Sequence, residues 1–223
     1  KPFKVKTSLE EFIAECIIIA SGASARKLGL PNEDEYIGRG LHTCATCDGA
    51  FYRGKNVAIV GGGDAAMEEA MFLTKFAEKV QIIHRKDILA ASIPMQERVK
   101  NNPKIEFIWN TEVVELVGEN RKLDHIKIKN VVSQEVSGLK IDGLFLAIGH
   151  IPNTKAFKDQ LELDQKDYIK VSDFTKSSVE GVFVAGDVWD WRYRQAITAS
   201  GLGCMAALDA EKYLSSTFLE AKK

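Results

Sequence analysis

Asn56-Val57-Ala58-Ile59-Val60-Gly61-Gly62-Gly63-Asp64-Ala65-Ala66 runs from a β-rich stretch through three glycines into a helical pattern. The stretch fits G-x-G-x-x-A, with Gly61, Gly63 and Ala66 in the three fixed places. Each place has its own demand. The first glycine permits the tight turn, the second lets a pyrophosphate approach the backbone, and the third position needs a small residue so that helix and strand can pack. From Asp64 to Ala77 the residues Ala66, Ala70, Leu73 and Ala77 share one helical face, which predicts a helix over 64–77. Its N-terminus, with unpaired N–H groups and the positive end of the dipole, suits a phosphate. Glycine-rich turns also serve packing alone, so the strand before and the helix after are what favour dinucleotide binding.

The next strand, Val80–Ile83, ends in His84-Arg85-Lys86. An NAD site would place Asp or Glu there, on the ribose 2′-hydroxyl. Guanidinium and ammonium groups attract a 2′-phosphate instead. The expected nucleotide is therefore NADPH, against the plainer reading of a solvated basic turn.

Outward from this centre, strand-like and helix-like segments alternate, the mark of an α/β protein. Strands are predicted at Cys16–Ala20, Leu144–Ile148 (closed by Gly149) and Tyr168–Val171, and over Gly181–Asp187, ending in Gly-Asp. A short helix is predicted from Pro94 to Lys100, a hairpin-rich stretch from Ile105 to Lys140 turning at Gly118-Glu119-Asn120, and a final helix from Gln195 to Leu214. Hydrophobic residues make up 45% and charged residues 27% of 223, a globular balance. Thirty Lys+Arg against 31 Asp+Glu give a net charge of −1, which removes the usual electrostatic argument for nucleic acid or an anionic membrane. No apolar run approaches the roughly 18 residues of a membrane span.

Four cysteines are too few for a disulfide scaffold. Cys44-Ala45-Thr46-Cys47 is a C-x-x-C, which is either half of a zinc site or a redox dithiol. Zinc would need two more ligands. No second C-x-x-C or H-x-H pair exists, and His42 is awkwardly placed, so no metal is expected and redox is favoured. Asp48 follows at once and can carry the proton that thiol–disulfide exchange requires, unless it is only a cap or turn residue. Cys16 and Cys204 read as packing residues. A third signal is the strand that ends in Gly186-Asp187, followed by Arg194, Gln195 and Ala196 at the start of the last helix. Such an end can aim a carboxylate at a hydroxylated cofactor chain and offer N–H groups to a polar ring edge. An ordinary Asp-capped connection is at least as good a reading of these residues alone.

Taken together, Cys44–Gly49 with Phe51-Tyr52, Gly61–Ala70, His84–Asp87, Ala147–His150, Phe183–Val188 and Tyr193–Ala199 resemble the low-molecular-weight thioredoxin reductases. The resemblance covers essentially the whole chain. It implies two Rossmann-like, three-layer dinucleotide-binding domains, with the NADPH domain inserted into an FAD domain. Residues 24–150 would form the NADPH domain carrying the C-x-x-C, and 1–23 with 151–223 the FAD domain. It implies FAD and NADPH as cofactors, with Gly61, Gly63, Asp64, Ala66, His84, Arg85, Lys86 and Gly149 on the nucleotide. Gly186 and Asp187 would meet the flavin's ribityl chain, and Arg194, Gln195 and Ala196 its ring. Cys44 and Cys47 would be the catalytic dithiol and Asp48 its acid–base partner. Thioredoxin would be the protein substrate, the assembly a homodimer and the location cytoplasmic. The family rotates one domain against the other, and the linkers near Gly22–Ser24 and Ile151–Asn153 would be the hinge.

Two departures stand out. The family has a further arginine where this chain has Ala90, and Lys86 stands for a second arginine, so a weaker preference for NADPH over NADH is expected. The family's N-terminal FAD fingerprint also has no counterpart before Cys16, so a preceding FAD segment is expected to belong to the parent protein. The alternatives are a reductase of another disulfide protein, such as a peroxiredoxin-type partner, and an NADPH-binding module without turnover.

Overall fold

A computed structural model describes residues 2–220. The chain divides into two compact units: Ala25–Gly149 forms one, and the segments on either side of it form the other.

The flanking unit begins with a hairpin of β1 (Phe3–Lys6) and β2 (Glu11–Ala14), closed by Thr7, whose hydroxyl and N–H both bond the Glu10 carbonyl. No strand was expected over these residues. β3 (Ile17–Ile19) follows as predicted, and β4 (Ala23–Ala25) leads into the central unit.

The central unit then lays down α1 (Glu33–Tyr36), β5 (Leu41–His42), α2 (Ala45–Asp48), β6 (Asn56–Val60), α3 (Asp64–Leu73) and β7 (Lys79–Ile83). After these come α4 (Ile93–Lys100), β8 (Ile105–Ile108), β9 (Thr111–Glu119), β10 (Lys122–Asn130), β11 (Val136–Lys140) and β12 (Gly143–Leu146). Five strands make one sheet in the order β5-β12-β6-β7-β8, all neighbours parallel. The pleat sorts their side chains by alternation. Val57, Ile59, Val80, Ile82 and Phe145 pack with Ala66, Met67, Ala70 and Leu73 of α3 on one face. Ala58, Ile83, Leu144 and Leu146 pack on the other face against Leu116, Leu123 and Ile126 of the antiparallel sheet β11-β10-β9. The result is three layers, with helices on one side of the parallel sheet and a second sheet on the other. Buried on both faces, the central strands read as continuous apolar runs.

Two predictions need correction here. The helix ends at Leu73, not Ala77: the N–H groups of both Phe76 and Ala77 turn back to the Leu73 carbonyl. Ala77 stays fully buried, so its place in the apolar pattern came from a turn under the sheet rather than from a helical face. The hairpin between β9 and β10 turns at Asn120-Arg121, with Gly118 inside β9.

The chain returns to the flanking unit through β13 (His150–Pro152), which pairs with β4, and continues to β14 (Val182–Val184) and α5 (Ala196–Glu220). β14 lies parallel to β3. Val182 and Val184 face Ile19, Ile169 and Val188, while Phe183 and Ala185 face Ala206 and Ala210 of α5. The strand predicted at Tyr168–Val171 does not form. Ile169 makes a single bridge to Leu163 and packs as an anchor, because its N–H goes to the Val188 carbonyl instead of a ladder.

Candidate active site

Cys44 and Cys47 are joined in a disulfide, so their sulfurs bind each other and zinc ligation is closed to them in this state. Among the described residues no group of three or more His, Cys, Asp or Glu could hold a metal ion. Cys44 is extended at the start of α2, and its sulfur accepts the Cys47 N–H at 3.2 Å. The i, i+3 spacing of C-x-x-C closes one helical turn, which brings both sulfurs to the same side. Asp48 is the last residue of that turn and one third exposed.

Behind Asp48 lies a group that the sequence reading set aside. His42, on β5, is only 6% exposed. Its Nδ1 is 2.7 Å from Asp48 Oδ2 and its Nε2 is 2.6 Å from the Tyr52 hydroxyl. The ring stacks on Phe145, 5.1 Å between centroids. Burial, with the negative charges of Asp48 and Asp142 nearby, pushes the Tyr52 hydroxyl up to about 12, so Tyr52 keeps its proton. The only sequence signal was proximity: His42, Asp48 and Tyr52 fall within eleven residues around the dithiol.

The glycine loop sits at the end of β6, the strand from which the chain first moves to β7 and later returns to β12 on the other side. Ligands of open α/β sheets bind at such a reversal. A Cβ on Gly61 would lie 2.5 Å from Ala66 Cβ and 2.7 Å from the Ala147 carbonyl oxygen. Gly61 and Ala66 are thus a packing pair. A Cβ on Gly63 would meet nothing within 4 Å, so this glycine faces open space at the start of α3. Gly62, which the motif leaves free, has a role of its own: its Cβ would fall 2.2 Å from the His84 ring. That ring is held through Nε2, 3.0 Å from the Ile88 carbonyl. The N–H groups of Ala90 and Ala91 both return to the Gly62 carbonyl. Asp64 accepts the N–H and hydroxyl of Ser92, each at 2.8 Å, and those bonds hold its carboxyl below the usual range. Arg85 and Lys86 are exposed. Gly149 takes a left-handed φ of 98° and accepts the Arg26 N–H.

The flanking unit holds the remaining candidates. Gly186 has a left-handed φ of 75°, and a Cβ there would sit 3.5 Å from Ala199 Cβ on α5. Asp187 Oδ1 is buried with no hydrogen-bond partner. Burial and the neighbouring Asp190 raise its carboxyl, partly offset by Arg194. Arg194 takes a left-handed φ of 48°, and the Gln195 side chain bonds the Tyr193 and Arg194 carbonyls just before Ala196 opens α5. His150 Nδ1 and Trp189 Nε1 are likewise buried without partners. Cys204 is exposed on α5, contrary to the packing role expected of it.

Residues 2–203 match the family model described as pyridine nucleotide-disulphide oxidoreductase. The chain belongs to the pyridine nucleotide-disulphide oxidoreductase family. Thioredoxin reductase of Streptomyces coelicolor is 52% identical over 210 residues, covering 94% of this chain and 65% of the relative. Thioredoxin reductase 2 of Arabidopsis thaliana is 53% identical over 223 residues, covering 96% and 58%. The crystal structure of thioredoxin reductase from Streptococcus pyogenes superposes with a TM-score of 0.90 at 40% identity, covering 96% of this chain and 70% of that one. The likeness drawn from the motifs is therefore met along nearly the whole chain. The chain spans about two thirds or less of the first two relatives' length.

Proposed function

We propose that this chain is the nucleotide- and dithiol-bearing part of an NADPH-dependent flavoprotein disulfide reductase that passes electrons through FAD to Cys44–Cys47 and on to thioredoxin. The observation that carries the reading is the Cys44–Cys47 disulfide, with Asp48 beside it, in the same compact unit as the Gly61–Ala66 loop. Residues 24–150 are assigned to NADPH, and 1–23 with 151–223 to FAD. Homodimerisation and a cytoplasmic setting are part of the same proposal.

The residues present fit both cofactors. The open side of Gly63 and the first turn of α3 suit a pyrophosphate. Arg85 and Lys86 are exposed and can bind a 2′-phosphate. The unpartnered Asp187 Oδ1 suits a hydroxyl donor of a polyol chain, since a buried acceptor without a donor is costly. Arg194, Gln195 and Ala196 at the start of α5 would border the ring, and Gly149 and Gly186 let backbone pass without a side chain. Bound there, the nicotinamide and flavin would supply the two electrons that open the disulfide. The chain's own residues do the rest: one cysteine attacks the partner disulfide, the other resolves it, and Asp48 exchanges the proton.

The test is made on the full-length protein. Cys44→Ser and Cys47→Ser should each abolish thioredoxin reduction while nucleotide binding persists. Retained thioredoxin reduction would sink the proposal. Flavin absorbance bands separate an enzyme from a nucleotide-binding module, and a peroxiredoxin-type substrate in place of thioredoxin tests the other disulfide partner. The ratio of kcat/KM for NADPH and NADH checks the clamp lacking an arginine at Ala90. A preference of only tens- to a few hundredfold is expected, since each lost charge-assisted contact costs about tenfold.

A further inference from the structure

We propose that His42 is a positioning residue for the dithiol, fixing the Asp48 carboxylate as its proton partner through a buried Tyr52–His42–Asp48 hydrogen-bond chain. This rests on the reductase reading above.

The direction of the chain follows from what each group can give. An ionised carboxylate only accepts, so His42 Nδ1 carries the proton and donates to Asp48 Oδ2 at 2.7 Å. In the neutral ring Nε2 is then the acceptor, and Tyr52, which keeps its proton, donates into it at 2.6 Å. Both ends are thus satisfied, and the ring is clamped between them and stacked on Phe145. A base oriented by a third group is the arrangement by which nucleophile sites hold a catalytic group in one tautomer and one orientation. Here the order is reversed, because the carboxylate stands at the dithiol and the imidazole behind it. Other charges face the cluster from the elements packed around it. Glu69 of α3 accepts the Ala45 N–H, Lys55 Nζ lies 5.5 Å from the Tyr52 ring, and Asp142 acts on Tyr52 from the loop before β12.

The chemistry served is ordinary exchange. A cysteine thiolate attacks one sulfur of the partner disulfide, forming a mixed disulfide and releasing the partner's second sulfur as a thiolate. The remaining thiol of the pair gives its proton to Asp48. As a thiolate it then closes Cys44–Cys47 and frees the partner's first sulfur. Asp48 returns that proton to a departing sulfur, and solvent protonates the other. The partner disulfide is the oxidant and is reduced by two electrons and two protons. Throughout, Asp48 must present one oxygen while the other is held, and His42 holds it.

The test uses the full-length protein reduced with dithiothreitol and follows iodoacetamide alkylation of the dithiol across pH. D48N should change the profile, because the proton acceptor beside the dithiol is gone. H42N should change it in the same direction, because the carboxylate loses the N–H that orients it. Exchange with a small disulfide should slow about a hundredfold in D48N and about tenfold in H42N. The double variant should be no slower than D48N, since the two act as one unit. An unmoved profile in H42N, or effects that multiply in the double variant, would overturn the proposal. His42 is buried, so if H42N does not fold, the wild-type protein decides. The ¹⁵N signals of the His42 ring, assigned against variants of the other three histidines, should show the Nδ1–H tautomer and shift when the disulfide is reduced. The other tautomer, or shifts identical in both redox states, would overturn the proposal, whereas a merely structural histidine would give such constancy. Neither readout needs flavin or thioredoxin. Failure to reduce thioredoxin would thus count against the reductase reading alone, and unmoved alkylation and ring signals against His42 alone.

Discussion

Three consecutive glycines carry three different loads. Gly61 is needed because helix and strand approach until a methyl group would overlap Ala66 and the Ala147 carbonyl, and Gly62 because His84 lies over it. Gly63 is free of neighbours and has a φ of −96° that any residue adopts, so neither packing nor backbone conformation calls for a glycine there. Substitution separates the roles. Gly61→Ala should destabilise the protein by about 1–3 kcal/mol, as overpacking against fixed backbone does. Gly63→Ala should leave stability unchanged or raise it by up to about 1 kcal/mol, while weakening NADPH binding. Urea denaturation and nucleotide titration read the two effects, and equal destabilisation by both would refute the division. The residue types of this site were legible in the sequence because the turn chemistry is local. His42 was not, since its partners become neighbours only when β5 docks beside β12 and brings the ring onto Phe145.

At the scale of elements, the expected strands form where a run of residues is buried on two faces and are lost where tertiary contact overrides local pattern. β6, β7, β12 and β14 are such runs. Tyr168–Val171, with exposed Lys170 in its middle, makes only a single bridge. The hairpin at Asn120-Arg121 shows the same limit. Gly118 looked like the turn residue, yet it sits in β9 because a Cβ there would lie 1.9 Å from the Lys122 carbonyl oxygen, beside an irregularity in the pairing. The two true loop residues have φ of 51° and 60°, the left-handed pair that two-residue hairpins require and that favours glycine at the second place. Arg121→Gly should therefore raise stability by about 0.5–1 kcal/mol. Its exposed 3.8 Å pairing with Glu35 adds little to retain the arginine. A lower urea midpoint would contradict this.

For the molecule as a whole, acid is the informative variable. Burial, with the positive Arg194 nearby, holds His150 down at about 4, while unfolded it takes a proton near its ordinary value of 6.5. Between those values the unfolded chain binds more protons, so this group makes stability fall as pH drops from about 6.5 towards 4. Asp187 acts in the opposite sense. Its raised carboxyl takes a proton in the folded state before it does so unfolded, so acidification through its folded value favours the fold. His150→Phe should remove the first slope and leave the second, visible as a flatter or inverted dependence of the urea midpoint on pH. An unchanged slope would show that His150 is protonated in the folded protein. No described helix is long and apolar enough to cross a membrane. The sequence changes character beyond Pro152-Asn153, and the compact unit Ala25–Gly149 ends shortly before that point.

The pairing of β6 with β12, and of β3 with β14, also sets an order of events during synthesis. β6 ends at Val60, but its second neighbour emerges only after Leu146, and β3 waits for Val184. Contacts this distant in sequence form late. Until Leu146 is made, one edge of β6 stands open, and an open apolar edge is a template for association with other chains. The central unit can close once β12 arrives, whereas the flanking strands must keep their place until the whole inserted unit has been made. Nascent chains halted before Gly143 should accordingly be more protease-sensitive over residues 56–60 than chains halted after His150, and equal sensitivity would show that β12 is not the closing strand.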